Sequence, residues 1–198
     1  MNETRLKATI AKIDAVLAQD PNLMEVDGRS QPAALIHAQK RTAWVEKLSA
    51  APLSEALQIA ARAQHIRRWQ MPRDRYPRTR TGYLQWRTAL KQFHADTTAE
   101  LMQTTGYDDA TIRRVKALIT KKQLKQDPDV QALEDALCLV FLETQFSEFA
   151  QKEADKIVGI LQKTWKKMSP QGRQLALQLP LNEADRHLVE SALAGLHT

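Results

Sequence analysis

Apolar residues recur at spacings of three and four along almost the whole chain, and no long period-two alternation interrupts them. That rhythm predicts helices throughout. The first runs from about Glu3 to Ala18, with Leu6, Ile10, Ile13 and Leu17 on one stripe. Residues 19–30, with Asp20-Pro-Asn and Asp27-Gly-Arg-Ser, read as a loop. Ser30 as N-cap and Pro32 at an early position open a helix to about Leu48. Pro52 precedes a helix from about Leu53 to Trp69. Two prolines then bracket Met71 to Arg78 and forbid regular helix there.

A long helix from about Thr81 to Thr104 stops at Gly106, and Asp108 or Asp109 caps the next, ending near Lys122. Pro128 opens a strongly apolar helix to about Phe149, followed by one over about Glu153 to Lys167. Ser169-Pro170 starts a short helix, and Asn182-Glu183 starts the last, which ends before Gly195. The expectation is a single all-α domain over 1–198, an irregular multi-helix bundle of about nine helices.

Composition narrows the class. The 198 residues suffice for one buried core, and six glycines with no low-complexity tract leave no flexible linker. No apolar run approaches the ~18 residues that span a bilayer, so no membrane partner is expected. The first residues turn amphipathic at once with no signal-peptide core, and a cytoplasmic location is expected. The single cysteine, Cys138, excludes a disulfide framework and sits in Leu137-Cys-Leu-Val-Phe-Leu142, where an inert buried thiol is expected.

The net charge of +6 is a local feature. Nine Arg or Lys lie between Arg62 and Lys91 against one acid, Asp74. Within 67–87, seven arginines interleave with Trp69, Tyr76, Tyr83 and Trp86. Guanidinium forks grip phosphate or carboxylate, and flat rings stack on a base, so this stretch suits a nucleotide, another anionic small molecule or nucleic acid. Arg68, Arg73 and Arg87 are the expected anion clamps, with Trp69, Tyr76 and Tyr83 as substrate-binding rings. Trp69, Tyr83 and Trp86 read equally as core anchors. Arg62 and Arg68 each lie three residues from His65, so one helix brings an arginine and His65 to one cleft. Lys121-Lys122 and Lys166-Lys167 end helices, where cations complement the dipole, and Trp165 beside the second pair reads as core.

Four residues carry candidate chemistry: His37, His65, His94 and Asp135, each in a different predicted helix. Imidazole and carboxylate groups on facing helices suit a divalent metal ion, of identity unknown from sequence. His187 and His197 read as surface residues.

The spacing resembles the HD-domain phosphohydrolases, an all-α metal-dependent superfamily with a lone His, then a His-Asp pair, then a distant Asp. Here His37 lies 28 residues before His65, and Asp135 lies 70 after it. Position 66 is Ile66, where that pattern has Asp, so one metal ligand is missing and His94 or Glu134 would have to serve. The resemblance implies a metal-dependent hydrolase of a small phosphorylated or nucleotide substrate, with Glu134 as base and Asp135 catalytic. Alternatives are a non-catalytic RNA (tRNA) or nucleotide-binding module on residues 62–94, or an HD-like sensor without turnover.

The runs Gln64-His-Ile-Arg-Arg-Trp69, Gly82-Tyr-Leu-Gln-Trp-Arg87, Phe93-His-Ala95 and Leu133-Glu-Asp135, with Pro72-Arg73 and Tyr76-Pro77, resemble a bacterial and fungal family. It is known as domain of unknown function 4202, and some of its members are called glutamyl-tRNA synthetase. The chain lacks the α/β nucleotide-binding pattern and the His-Ile-Gly-His type run that a synthetase requires.

Overall fold

The stripe Leu6, Ile10, Ile13 and Leu17 lays the first helix, α1 (Asn2–Leu17), on the core, with Ile13 and Leu17 fully buried. Burial of each such side chain contributes about 1.5–3 kcal/mol. The computed structural model describes residues 2–49, 52–124 and 126–194. Gly195 and His197 lie outside the described residues.

The expected loop at 19–30 is instead a hairpin. Strands β1 (Leu23–Val26) and β2 (Arg29–Pro32) pair antiparallel, with Leu23 opposite Pro32 and Val26 opposite Arg29. Asp27 and Gly28 form its two-residue turn at φ of 50° and 71°, the left-handed pair that Asp-Gly adopts most readily. Ser30 therefore pairs with Glu25 and caps nothing. The helix α2 (Ala33–Leu48) is capped from a distance: Asp20 accepts the Ala34 N–H at 2.9 Å.

Ser54 caps α3 (Glu55–Ala63), accepting the Leu57 N–H at 3.1 Å. This helix stops well short of Trp69, because Arg67 is left-handed (φ 51°) and Gln64 turns in to donate to the Ile119 carbonyl. His65 thus sits in a tight turn, not in a helix. Two 3-10 turns follow, Arg68–Gln70 and Arg73–Arg75. Next comes α4 (Arg80–Gln103), capped by Thr79. Gly82 is required there, since a Cβ would stand 2.3 Å from the Pro77 carbonyl oxygen.

Asp108 caps α5 (Asp109–Thr120), which ends at Lys121 with φ of 58°. Asp127 caps α6 (Pro128–Thr144). The predicted extension of α6 to Phe149 breaks at Gln145 (φ -129°, ψ -13°), and a separate helix α7 (Phe146–Lys152) follows. Then come α8 (Ile157–Lys167), α9 (Pro170–Leu177) and α10 (Glu183–Ala194). Among the described residues there are thus ten α-helices, where about nine were expected, plus the hairpin.

The apolar run on α6 is explained by its position. This helix packs against α2, α3, α5, α7, α8 and α9, so it is buried nearly all round. Among the described residues no helix is long and apolar enough to cross a membrane.

Candidate functional site

One face of α6 is not covered by another helix. Glu134, Leu137, Cys138, Phe141 and Gln145 recur there at helical spacing and form one wall of a cavity of about 650 Å³. Arg87, Leu90, Lys91 and His94 on α4 form a second wall by the same spacing. The start of α2, with Ala33, His37 and Arg41, and the segment from Gln64 to Arg73 complete it. A volume of this order suits a small organic ligand.

The lining is cationic. Arg41, Arg68, Arg73 and Arg87 join Lys91, Lys121 and Lys167 against two carboxylates, Asp20 and Glu134. Both carboxylates are occupied. Asp20 accepts the N–H groups of Ala34 and Asn22 and the Asn22 amide. Glu134 is ion-paired with the Lys121 ammonium and lies 3.8 Å from Lys167.

Arg41 is buried at 1% exposure, and its guanidinium donates only to main chain, to the carbonyls of Ala61 at 2.5 Å and Arg62 at 3.4 Å. Burial, with the Arg62 charge nearby, lowers its pKa to about 9. Among the described residues no carboxylate forms an ion pair with it.

His65 and His94 stand together, with ring centroids 5.7 Å apart. His94 donates from Nδ1 to the Ile66 carbonyl at 2.6 Å, which leaves Nε2 as an acceptor. That nitrogen is buried and has no partner among the described residues. Burial holds the His94 pKa down at about 4, despite its bond to Ile66, and the charges of Arg68 and Arg41 act the same way. His65 is held well below the usual value, by burial first and then by Arg41, Arg68, His94 and Lys121. Both imidazoles are neutral near pH 7. His37 is lowered as well, by burial first, and lies 3.3 Å from the Gln145 amide.

The expected ligand set for a metal ion is not assembled. His37, His65 and His94 all reach the cavity, but Asp135 does not. Its carboxylate, 1% exposed, accepts the Ser169 N–H at 2.9 Å and the Gln131 amide at 3.0 Å, which staples the start of α9 to α6. Gly172 packs so closely on it that a Cβ would stand 2.6 Å from Cγ. The Ile66 side chain points into the core, fully buried. Among the described residues no group of three or more His, Cys, Asp or Glu is placed to hold a metal ion. A divalent centre does not fit these donors, and the surrounding cations would repel one.

Glu134, the expected base, sits in ion pairs. Burial alone would raise its pKa, yet Lys121 and then Lys167 hold it below the usual value, which makes it a weak proton acceptor.

Of the expected substrate-binding residues, Arg68, Arg87 and Trp69 line the cavity. Arg68 lies over the Trp86 ring at 5.1 Å, and Trp86 itself is a core anchor whose indole donates to the Met71 carbonyl. Arg73 reaches the rim, but it spends its terminal nitrogens on the carbonyls of Tyr76 at 2.8 Å and Pro77 at 2.7 Å. These bonds brace the 72–79 loop. Tyr76 and Tyr83 do not line the cavity; Tyr83 is 44% exposed beside Trp86. Arg62 pairs with Asp14 at 3.1 Å, away from His65's cavity.

Among the cations of the cavity, Arg41, Lys91, Lys121 and Lys167 were not expected as binding groups, and neither was Gln145. Spacing held a signal for two of them. Arg41 is one turn beyond His37 on the buried face of α2, and Lys91 is one turn before His94 on α4. Burial pushes the Cys138 thiol up to about 12, as an inert thiol requires.

Comparison with curated proteins finds no match, and comparison with solved structures finds none. The sequence model of one family does match, over residues 7–189, nearly the whole chain. By that match the chain belongs to the family described as domain of unknown function (DUF4202).

Proposed function

We propose that this protein binds a small, multiply charged phosphorylated ligand in the cavity between α2, α4 and α6, without a metal ion. The observation that carries the reading is the charge imbalance: seven cationic side chains line a space whose two carboxylates are already occupied. Buried cations without counter-charges are costly, and an anion from solution removes that cost. Arg41 is the sharpest case, because it is buried with main-chain partners alone.

Binding without turnover is the function this geometry supports best. Glu134 is held in ion pairs, Asp135 is held at α9, and the imidazoles have no third ligand beside them. The HD-like part of the reading is a scaffold in which the metal centre has given way to a cationic pocket. His37 and His65 sharing one cavity supports it, as does the apolar residue at position 66. Isothermal titration of the full chain with phosphate, pyrophosphate and nucleotides tests the proposal. Micromolar to millimolar binding that survives a chelator is expected. A protein that takes up none of these anions overturns it.

A second reading has its own observation. Arg75, Arg78 and Arg80 are exposed outside the cavity, as is Tyr83. Such a surface fits an RNA backbone, and affinity would then fall steeply with salt as counterions are released. Binding of tRNA unchanged by Arg75→Ala/Arg78→Ala/Arg80→Ala removes it.

A further inference from the structure

The cavity has two unlike ends, and α6 measures the distance between them. Glu134 on α6 and Gln145 at its C-terminal cap are eleven positions apart and both line the cavity, a separation of about 16 Å along the helix. At the Glu134 end stand Lys121 and Lys167, both paired with it, and Lys91, which feels the charges of Lys121, Arg87 and Lys167. Here positive charge exceeds negative by a wide margin.

At the Gln145 end Arg41, whose charge reaches His37, is turned to the main-chain carbonyls of Ala61 and Arg62, and Lys40 pairs with Glu143. Gln145 faces His37, which is neutral, and the Asp20 carboxylate is filled by Asn22 and Ala34. Phe141 and Ala34 add apolar surface. This end offers neutral donors and acceptors beside an aromatic face. A third requirement lies on the α4 wall. The unprotonated His94 Nε2 is buried without a donor, and a buried acceptor left unpaired costs about 1–3 kcal/mol. A fully ionised phosphate has no hydrogen to give it, whereas a hydroxyl or N–H group does.

Resting on the anion-binding reading above, we propose that the ligand is a phosphorylated nucleoside. Its phosphates lie among Lys91, Lys121 and Lys167, a hydroxyl or N–H group meets His94, and its uncharged heterocycle lies against Gln145, His37 and Phe141. Neither a bare phosphate nor a nucleoside fills both ends. The phosphates supply the missing negative charge, and the ring supplies what the neutral end recognises.

Calorimetric titration of the full chain with pyrophosphate, a nucleoside, a sugar phosphate and nucleoside mono- and diphosphates tests this, with chemical denaturation confirming that each variant is folded. A nucleoside diphosphate is expected to bind at least ~10-fold tighter than pyrophosphate, since two or three added hydrogen bonds and one stacked ring exceed ~1.4 kcal/mol. Gln145→Ala, at an exposed position, is expected to weaken the nucleotide ~5-fold and to spare pyrophosphate, the loss of about one hydrogen bond. Lys167→Gln, at a half-exposed side chain, weakens both. If pyrophosphate binds as tightly as the nucleotide, if a sugar phosphate binds more tightly than it, or if Gln145→Ala acts equally on both probes, the two-ended ligand is wrong while the anion site stands. If no phosphorylated probe binds, both fall together.

Discussion

The Nδ1 of His94 lies 2.6 Å from the carbonyl oxygen of Ile66, so the main chain of residue 66, not its side chain, sets the imidazole. The bond fixes the tautomer and aims a bare Nε2 at its surroundings. A carboxylate at position 66 would add a metal ligand only if its side chain faced the cavity. Here that side chain is in the core, fully buried.

This geometry makes His94 a source of acid sensitivity. Its pKa of about 4 in the fold lies below the ordinary value of 6.5, because burial and the charges of Arg68 and Arg41 disfavour the imidazolium. The unfolded chain therefore binds the proton first. The stability that His94 confers is complete above pH 6.5 and is lost as pH falls from 6.5 towards 4, at up to about 1.4 kcal/mol per pH unit. His65 acts in the same direction. Denaturant unfolding of wild type and His94→Gln at pH 7 and pH 5 should show the variant losing less stability on acidification. Equal losses in both proteins would remove His94 from this role.

Arg41 ties stability to anions. Phosphate is expected to raise the unfolding temperature of the wild type, by about 2.7 kcal/mol of added stability at a hundredfold excess over Kd. Arg41→Met removes the buried charge, and it also leaves the Ala61 carbonyl without its donor, so its stability in phosphate-free buffer moves by two opposed effects of about 1–3 kcal/mol. The sharper readout is the phosphate response, which should shrink in the variant. Thermal unfolding across a phosphate series measures it, and an undiminished response would confine the anion to the lysine end and remove Arg41 as a reason for its binding.

Asp135 should prove structural. Asp135→Ala strands the Ser169 N–H and should cost about 1–3 kcal/mol. Gly172→Ala drives a methyl to 2.6 Å from the Asp135 Cγ and should cost about as much through overpacking. The double variant removes the clash, so its cost should fall below the sum of the two. Strict additivity in urea unfolding would contradict the contact.

Metal chelation gives the complementary outcome. Treatment with EDTA is expected to leave the unfolding temperature and phosphate affinity unchanged, because among the described residues no three ligands converge. Elemental analysis of natively purified protein checks this, and a stoichiometric divalent ion whose removal destabilises the fold would reverse the conclusion.

Much of the fold was legible from local signals. Asp108 and Ser169 cap helices through side-chain oxygens as expected, and the Leu6–Leu17 stripe marks the buried face of α1. The hairpin was legible too, in Asp27-Gly28, but it is short enough to pass for a loop. The ends of α3 and α6 were not legible. No proline or glycine marks either break; Arg67 is left-handed and Gln145 irregular because of how the next segments pack.

The candidate site divides along the same line. Sequence alone determined the helical elements, the clustering of arginines and the presence of three histidines near apolar faces, since each follows from spacing along one chain. Only tertiary structure decided which side chains share a space. Glu134 and Asp135 are neighbours 100° apart around one helix: one enters the cavity to hold Lys121, and the other turns away to anchor Ser169. That choice depends on what packs on each face of α6, and nothing local in the sequence carries it.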